Sequence, residues 1–208
     1  MPAEPTSLAV VVVHYKGVEL TLECVRSLPP LLPVAVVDNS GDLEVLRAGL
    51  ADQPQVAVLG EGRNLGFGQA ANLGAAALDA EVLLLVNPDA RPSHQDLEAL
   101  LGLLRRRPDV VGVAPALVDE EGAVHNDGGG WLPTPARALA HSVLSGRAGT
   151  RGVWLRPDRP RTYDVEWLTG ACALVRADAF AAVGGFAPEF VLYNEDMDLG
   201  RRLVERGG

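Results

Sequence analysis

Residues 82–89 read Val-Leu-Leu-Leu-Val-Asn-Pro-Asp, and this stretch decides the class of fold. An unbroken apolar run of this length is typical of a strand that is covered on both faces of a sheet. Pro88 follows the run and offers no backbone amide, so the regular strand ends before it. The stretch therefore predicts a central strand that delivers the carboxylate of Asp89 immediately beyond its end.

The same pattern continues on both sides of this strand, where apolar runs alternate with segments of helical spacing. We predict strands over residues 8–13, 34–37, 56–59, 82–86, 110–118 and 165–175. We predict helices over residues 18–28, 43–50, 68–78, 97–104 and 177–183, and a last helix from about residue 194. This alternation predicts an α/β fold with a mostly parallel central sheet and helices on both faces. Residues 120–160 break the rhythm and predict a long excursion with little regular structure.

The composition restricts the classes of protein to consider. The chain has 208 residues, of which 48% are hydrophobic, enough to bury a sizeable core in one domain. Its net charge of −9 repels polyanions, so a nucleic-acid partner is disfavoured. Cys24 and Cys172 lie far apart without metal-binding spacing, which predicts two buried free thiols in a reducing compartment. We see no secretory signal and no apolar run long enough to span a bilayer, so we expect a cytoplasmic protein.

Polar residues follow three of the predicted strands. His14 and Tyr15 follow the first strand, Asp38 follows the second, and Asn87 and Asp89 follow the fourth. Ligands of such sheets bind at the carboxyl ends of the strands, so we expect these side chains to converge on a bound nucleotide. Asp38 is predicted to accept a hydrogen bond from the base or the ribose. The alternative is a turn or helix-cap role, which Asp also suits.

Asp89 has the sequence surroundings of a metal ligand. Mg²⁺ or Mn²⁺ is held by one or two carboxylates, with a diphosphate and water completing the octahedron. Such an ion offsets the charge that develops on a leaving diphosphate. The alternative is that Asp89 caps the next helix, but Ser93, with Asp96 three residues later, forms the better capping pair. We therefore predict that Asp89 binds the ion.

Residues 66–71 match the dinucleotide fingerprint G-x-G-x-x-A, and a nicotinamide-dependent oxidoreductase is therefore an alternative. The glycines of that fingerprint normally follow the first strand directly, whereas residues 60–65 separate Gly66 from the third strand. We favour a loop and helix start that pack near the nucleotide. In this interpretation Asn64, Gly66 and Asn72 line the nucleotide site, with the two asparagines as polar contacts.

Three acids lie at the start of the last predicted helix, namely Glu195, Asp196 and Asp198. Acids in a first helical turn interact favourably with the helix dipole, and Asp198 is spaced to pair with Arg201 or Arg202. We predict that structural role for Asp198. Either Glu195 or Asp196 is a candidate general base that takes the proton of an attacking hydroxyl group.

Five blocks in order resemble those of the family 2 glycosyltransferases, and the nearest subgroup is the rhamnosyltransferase-like bacterial enzymes. The first four blocks are Val-Val-His-Tyr at 12–15, Val-Asp-Asn-Ser at 37–40, Asn-Leu-Gly-Phe-Gly at 64–68 and Asn-Pro-Asp at 87–89. The fifth comprises Trp-Leu-Thr-Gly-Ala at 167–171, Gly-Gly-Phe at 184–186, Phe190, Leu-Tyr at 192–193 and Glu-Asp-x-Asp-Leu at 195–199. The resemblance spans about residues 8–206.

The resemblance implies a GT-A fold, a divalent metal ion and a role for several residues. Asp38 would contact the base, and Arg202 would lie near the diphosphate. Asp89 would match the second acid of the D-x-D metal motif, with Asn87 in the place of the first. Asp196 would match the catalytic base, and the sugar and the acceptor would be bordered by Trp167, Gly170 and Ala171. Similar proteins continue past the last helix with a further strand and a His-bearing segment, so we expect a C-terminal truncation.

The function that the resemblance implies is an inverting transfer of a sugar from a nucleoside diphosphate to a hydroxyl acceptor in bacterial surface polysaccharide synthesis. The subgroup points to dTDP-rhamnose as donor and to a saccharide or lipid-linked saccharide as acceptor, with contact at the inner face of the membrane. We expect one domain over residues 1–208, with a nucleotide half of about 1–118 and an acceptor half of about 119–208. A non-catalytic sugar-nucleotide-binding relative or an inactive fragment is the main alternative. A pyrophosphorylase would need a Gly-rich basic first loop, which residues 14–20 do not have.

Overall fold

The computed structural model describes residues 7–119, 121–124, 128–137, 139, 153–155 and 161–208. The strands are β1 (Leu8–His14), β2 (Val34–Asp38), β3 (Val56–Gly60), β4 (Val82–Val86), β5 (Gly112–Val113), β6 (Gly129–Gly130), β7 (Trp167–Leu168) and β8 (Cys172–Arg176). The helices are α1 (Val18–Ser27), α2 (Leu43–Gly49), α3 (Phe67–Ala76), α4 (His94–Arg106), α5 (Ala177–Ala182) and α6 (Glu195–Glu205).

The main sheet has the strand order β3-β2-β1-β4-β8-β5. The first four strands in this order are parallel, whereas β8 runs antiparallel to both β4 and β5. A separate two-stranded sheet pairs β6 with β7. The strand order reverses between β1 and β4, and in open α/β sheets a ligand crevice forms at this point, beyond the carboxyl ends of the strands. The prediction of an α/β fold with a mostly parallel sheet is confirmed.

The core lies on both faces of this sheet because its central strands are apolar throughout. Every residue of β1, β2 and β4 is buried. Along β1, Val10 and Val12 pack into the cluster that includes α1, α2 and α4, whereas Val11 and Val13 pack into the cluster on the other face with α3 and α6. Helix α3 comes especially close, because a Cβ atom on Gly74 would lie 2.6 Å from the Val11 side chain. Small residues in this helix therefore allow it to lie directly on the sheet.

Two of the predicted strands differ from the structure. The strand predicted over 110–118 is reduced to Gly112–Val113, because Pro115 lacks the amide that a continued ladder would need. The strand predicted over 165–175 is divided into β7 and β8. Residues 169–171 leave the ladder between them, and Gly170 packs there against Phe67 and Asp196. A local apolar pattern does not reveal such a long-range contact.

The remaining sequence predictions on secondary structure hold within a few residues. Helix α4 begins at His94, three residues earlier than predicted, and the capping box between Ser93 and Asp96 is confirmed. Much of the predicted excursion over 120–160 lies outside the described residues, and the described part of it contributes β6. Cys24 and Cys172 are buried free thiols, as predicted. Among the described residues, no helix combines the length and the hydropathy that crossing a membrane requires.

Candidate active site

The carboxyl edge of the sheet brings several predicted site residues together. His14 and Asp38 are direct partners in the β1–β2 ladder. On the other side of β1, β4 ends in register with it, and the amide of Asn87 just beyond β4 donates to the carbonyl oxygen of Ala171 at 2.9 Å. The edge therefore runs from Asp38 through His14 and Asn87 to Ala171. Tyr15, which follows β1, is 53% exposed at this edge.

His14 is fully buried beneath the edge, and both of its ring nitrogens have partners. Nδ1 lies 2.7 Å from the Thr21 hydroxyl, and Nε2 lies 3.0 Å from Oδ2 of Asp42. Asp42 also accepts a hydrogen bond from the Ser40 hydroxyl at 2.7 Å. The bonds from His14 and Ser40 hold the pKa of Asp42 below its usual value. This network ties the end of β1 to the turn after β2, and a contact of His14 with a nucleotide stays a prediction.

The two carboxylate oxygens of Asp38 have different surroundings. Oδ1 accepts backbone hydrogen bonds from Ser40 at 2.9 Å and from Gly41 at 3.1 Å, so this oxygen stabilises the turn. Oδ2 is buried and has no hydrogen-bond partner within the described part of the chain. An unsatisfied buried oxygen is costly, so its position is suited to a ligand that donates a hydrogen bond. The turn role and a ligand role are therefore compatible in one side chain.

The loop before α3 is held by Asn39, a residue to which the sequence reasoning assigned no role. Its Oδ1 accepts from the amide of Leu65 and its Nδ2 donates to the carbonyl of Gly66, both at 3.0 Å. Asn64 stabilises the same loop, because its Oδ1 accepts from the amide of Gly66 at 2.8 Å. We name residues 64–68 the donor loop. Since Asn39 follows Asp38 directly, the donor loop is anchored beside the unpartnered oxygen of Asp38.

Gly66 is required by the close approach of a second segment. Its φ of +78° lies in the left-handed region, and a Cβ atom there would overlap the carbonyl of Val191. The amide of Phe67 donates to that same carbonyl at 3.3 Å. The donor loop therefore lies directly against the segment that precedes α6.

Asn72 connects α3 to the Gly184–Gly185–Phe186 turn. Its Oδ1 accepts from the amide of Phe186 and its Nδ2 donates to the carbonyl of Phe186, both at 2.8 Å. Gly185 passes so close to the Asn72 side chain that a Cβ atom on it would overlap Oδ1. The predicted contact between Asn72 and a nucleotide would have to compete with these two bonds.

Asp89 is exposed beyond the end of β4, and within the described ranges no residue donates a hydrogen bond to its carboxylate. It is therefore accessible to an ion from solvent. A group of three possible metal ligands lies elsewhere on the edge, where atoms of His14, Asp38 and Asp42 are within 4.8 Å of one another. Hydrogen bonds already engage both ring nitrogens of His14, Oδ1 of Asp38 and Oδ2 of Asp42, whereas Oδ2 of Asp38 has no partner in the described residues.

Glu195 and Asp196 begin α6, after two residues with unusual backbone conformations. Tyr193 and Asn194 have φ values of 67° and 68°, in the left-handed region that non-glycine residues rarely adopt. Such strain is found where the surrounding structure has to present particular groups. Oε2 of Glu195 and Oδ1 of Asp196 are buried and have no hydrogen-bond partner among the described residues.

Asp196 faces Gly170 across a narrow gap. A Cβ atom on Gly170 would lie 3.2 Å from Oδ1 of Asp196 and 2.6 Å from two ring carbons of Phe67. Burial raises the pKa of Asp196 to about 7, against the opposing effect of a hydrogen bond with the Gly170 backbone, and the charge of Glu195 adds to the rise. A carboxylate with a pKa near the working pH suits a general base.

Helix α6 lies directly on β7 below this carboxylate. Gly200 follows Asp196 by one helical turn, and a Cβ atom on it would lie 2.6 Å from the Trp167 side chain. Trp167 is 3% exposed, and its Nε1 donates to the carbonyl of Val153 at 3.2 Å. Trp167 therefore supports the helix from the interior, and its predicted contact with a sugar stays a prediction.

Arg202 and Asp198 form the structural pair that the sequence predicted. Asp198 accepts from Nε of Arg202 at 2.7 Å and from Arg201 at 2.9 Å. Burial alone would raise the pKa of Asp198, but the bonds from both arginines outweigh it and keep this pKa below its usual value. Nη1 of Arg202 donates to the carbonyls of Val183 and Gly185, both at 2.7 Å. Its Nη2 is buried and, within the described residues, has no partner.

A cavity of about 860 Å³ opens beside Asp196, a size in the range of small-molecule sites. Thr169 and Gly170 line it together with Asp196, and apolar residues of α4, β5 and α6 form other parts of its wall. Four buried side-chain atoms lack a hydrogen-bond partner within the described ranges, and they belong to Asp38, Glu195, Asp196 and Arg202. Buried charged groups without partners are costly unless a ligand completes them. All four residues were predicted from the sequence to take part in the site.

The fold, with its polar residues at the carboxyl edge of the sheet, indicates the class of protein. The structure matches a mannosyltransferase of Pyrobaculum calidifontis solved with GDP-Man and Mn²⁺, with a TM-score of 0.65 at 18% identity over 99% of this chain and 54% of that one. It matches GalNAc-T7, solved with UDP, GalNAc and Mn²⁺, with the same TM-score of 0.65 at 16% identity, over 98% of this chain and 41% of that one. At this level of identity the likeness concerns the fold alone, which is the GT-A fold of nucleotide-sugar transferases.

The sequence then identifies the family. The profile described as "Glycosyl transferase family 2" matches residues 9–184, and the chain belongs to this family. It is 35% identical over 193 residues to the N-acetylglucosaminyl-diphospho-decaprenol L-rhamnosyltransferase of Mycobacterium tuberculosis, covering 84% of this chain. It is 28% identical over 147 residues to the O-antigen biosynthesis protein RfbC of Myxococcus xanthus, covering 65% of this chain and 10% of that protein. The chain spans 62% of the length of the mycobacterial relative.

Proposed function

We propose that this chain forms the catalytic region of an inverting glycosyltransferase that moves a sugar from a nucleoside diphosphate to a hydroxyl acceptor. The observation that carries this proposal is the set of unpartnered buried atoms on Asp38, Glu195, Asp196 and Arg202. Their chemistry matches a ligand with hydrogen-bond donors at one end and a diphosphate at the other. The membership of glycosyl transferase family 2 supports the same reaction.

Asp196 is the proposed base. Its unpartnered Oδ1 takes the proton of the acceptor hydroxyl as that oxygen attacks the anomeric carbon, and the bond to the nucleoside diphosphate breaks in the same displacement. With a pKa of about 7, Asp196 loses the ionised form as the pH falls through 7. We therefore expect the rate to fall by about tenfold per pH unit at pH values well below 7.

The donor is proposed to lie along the carboxyl edge of the sheet. Oδ2 of Asp38 accepts from an N–H of the base or from a ribose hydroxyl, and Tyr15 is exposed beside it. Asn39 keeps the donor loop, with Asn64 and Gly66, against this site. Nη2 of Arg202 is the donor available to a diphosphate oxygen.

The proposed metal ligand is Asp89. Its exposed carboxylate, with no hydrogen bond from a described residue, fits an ion that is shared with a diphosphate. When bound, Mg²⁺ or Mn²⁺ would neutralise charge on the leaving diphosphate. Asn87 lies between β4 and Asp89, and its backbone bond to Ala171 connects this end of the strand to the sugar side of the site.

We infer the substrates from the mycobacterial relative. Its name gives a rhamnosyl donor and an N-acetylglucosaminyl-diphospho-decaprenol acceptor. On this basis we propose dTDP-rhamnose and a lipid-linked saccharide for this chain, with transfer at the inner face of the membrane. The nucleotide half would cover about residues 1–118 and the acceptor half about residues 119–208, in one domain.

The test compares Asp196→Asn with Glu205→Gln, which removes an exposed acid from the far end of the same helix. We expect Asp196→Asn to lower transfer of rhamnose from dTDP-rhamnose to the lipid-linked acceptor by about 10²-fold or more and to leave donor binding intact. Glu205→Gln should match the wild type. Full turnover in Asp196→Asn would refute the base assignment, and donor binding by a wild type without turnover would favour the non-catalytic alternative.

A further inference from the structure

Phe67 lies where three parts of the proposed active site meet. It begins α3 at the end of the donor loop, directly after Gly66. Its amide donates to the carbonyl of Val191 in the segment that leads to Glu195 and Asp196. The donor loop itself is held by Asn39, so the backbone of Phe67 is fixed from both sides.

The ring of Phe67 and the carboxylate of Asp196 both pack against Gly170. Cε1 and Cζ lie 2.6 Å from the point where a Cβ atom of Gly170 would be, and Oδ1 of Asp196 lies 3.2 Å from the same point. The ring and the carboxylate therefore both lie against the space that a methyl group on Gly170 would fill. The ring is supported from behind by an edge-to-face contact with Phe186, at a centroid distance of 5.6 Å.

We propose that Phe67 is a positioning residue that keeps water away from one side of the Asp196 carboxylate and so links the placement of the donor loop to the reactivity of the base. The proposal deepens the proposed function, since it assumes that Asp196 is the base. Phe67 itself contacts neither reacting atom in this scheme. Its effect on catalysis passes through Asp196.

The charges around Asp196 leave desolvation as the main influence on its proton affinity. Glu195, on the same helix, is the charged neighbour that acts on it, and the loop packed against it contributes the backbone of Gly170. Other charged groups on the cavity wall, outside α6, are Arg107, Asp109, Arg161, Asp164 and Glu166. Among these, Arg107 forms ion pairs with Asp109 and Asp164, and Glu166 pairs with Arg137. Burial is the largest influence on the pKa of Asp196, so exposing its carboxylate to water should lower this pKa.

The experiment is a carboxyl-carbon NMR titration of the 208-residue chain labelled with ¹³C-aspartate. The Asp196 resonance is assigned by its loss in Asp196→Asn. We expect Phe67→Ala to lower the titration midpoint of Asp196 by about one pH unit or more, because water then reaches the carboxylate. Phe67→Leu, which keeps apolar cover, should give a smaller shift in the same direction. The acid limb of the kcat profile should move to lower pH together with the midpoint.

Phe180→Leu is the matched control, since Phe180 is a buried ring that contacts Phe186 and Gly185. It should lower the melting temperature while leaving the Asp196 midpoint in place. An unchanged midpoint in Phe67→Ala would overturn the proposal. If that variant does not fold, an unchanged midpoint in Phe67→Leu, measured beside Phe180→Leu, decides against it. The titration does not depend on turnover, so an inactive wild type would contradict the proposed function and leave this test intact.

Discussion

Asp196 and Asp198 lie two residues apart on one helix, and their surroundings push their proton affinities in opposite directions. Asp196 is buried against Gly170 without a cationic partner in the described residues, and its pKa rises to about 7. Asp198 is also largely buried, but Arg201 and Arg202 both donate to it and keep its pKa low. Neighbouring acids with separated pKa values are a common sign of divided roles. The start of this helix therefore carries the proposed proton acceptor, Asp196, and a fixed anion, Asp198, that holds Arg202.

The raised pKa of Asp196 implies a cost to stability that depends on pH. A carboxyl group whose pKa is higher in the folded state stabilises the fold below its unfolded pKa, and this contribution is lost as the pH rises through the folded pKa. We therefore expect Asp196→Asn to become increasingly more stable than the wild type between about pH 4 and pH 7, by on the order of 2–4 kcal/mol at the upper end.

Denaturant unfolding of both proteins at several pH values measures this difference. Groups that do not interact with Asp196 contribute equally to the two proteins, so the difference reports on Asp196 together with its charged neighbour Glu195. A constant difference across the pH range would mean that the pKa of Asp196 is not raised in the folded state.

At the scale of elements, the site depends on side-chain hydrogen bonds between segments that are distant in sequence. Asn39 joins the end of β2 to the donor loop, and Asn72 joins α3 to the turn before Phe186. Both use their amide groups to complete backbone hydrogen bonds at places where regular structure stops. These side chains hold the donor loop and the segment leading to α6 in one arrangement.

We expect Asn72→Ala to lower the free energy of unfolding by about 2–4 kcal/mol, because it leaves the amide and carbonyl of Phe186 without partners. If the role of Asn72 is purely structural, the affinity of the folded variant for dTDP should stay within about twofold of the wild type. Chemical denaturation and calorimetric titration give the two quantities. Asn64→Ala, which removes a single part-buried bond in the donor loop, is the comparison variant for the unfolding measurement. A lower affinity for dTDP with an unchanged free energy of unfolding would mean that Asn72 contacts the nucleotide, as the sequence predicted.

The parts of these elements that were predictable are those set by local pattern. The ends of β1 to β4 follow from unbroken apolar runs, and the cap of α4 follows from the spacing of Ser93 and Asp96, although the helical range predicted from apolar spacing began three residues late. The division of residues 165–175 was missed because Gly170 leaves the sheet to fit between Phe67 and Asp196, both far away in sequence. For the same reason no local signal distinguished Asn39 from an ordinary turn residue.

At the scale of the whole molecule, the two sides of the proposed site come from different parts of the chain and meet along β4. The parallel strands bring Asp38 and Asp89 to one edge, and the antiparallel β8 brings Gly170 and Ala171 next to the end of β4. A ligand that spans this edge would therefore connect the two parts and stabilise the whole fold by mass action.

We expect dTDP with Mn²⁺ to raise the melting temperature more than dTDP alone, and Asp89→Asn to remove the metal-dependent part of that rise. Asp79→Asn is the matched control, because Asp79 is an exposed acid before the opposite end of β4. Differential scanning fluorimetry with each ligand combination measures the effect. An equal metal-dependent rise in melting temperature in Asp89→Asn and in the wild type would mean that Asp89 does not bind the metal.

Gly200 has a consequence for how substitutions far from any substrate affect this protein. It shares a helix face with Asp196, and the absence of a side chain lets α6 rest on the backbone of Trp167. An alanine at position 200 would overlap the backbone of Glu166 and Trp167, so α6 would have to shift and carry the proposed base with it. If Asp196 is the base, the tolerance of position 200 to mutation therefore reports on the placement of that carboxylate, although Gly200 has no functional group of its own.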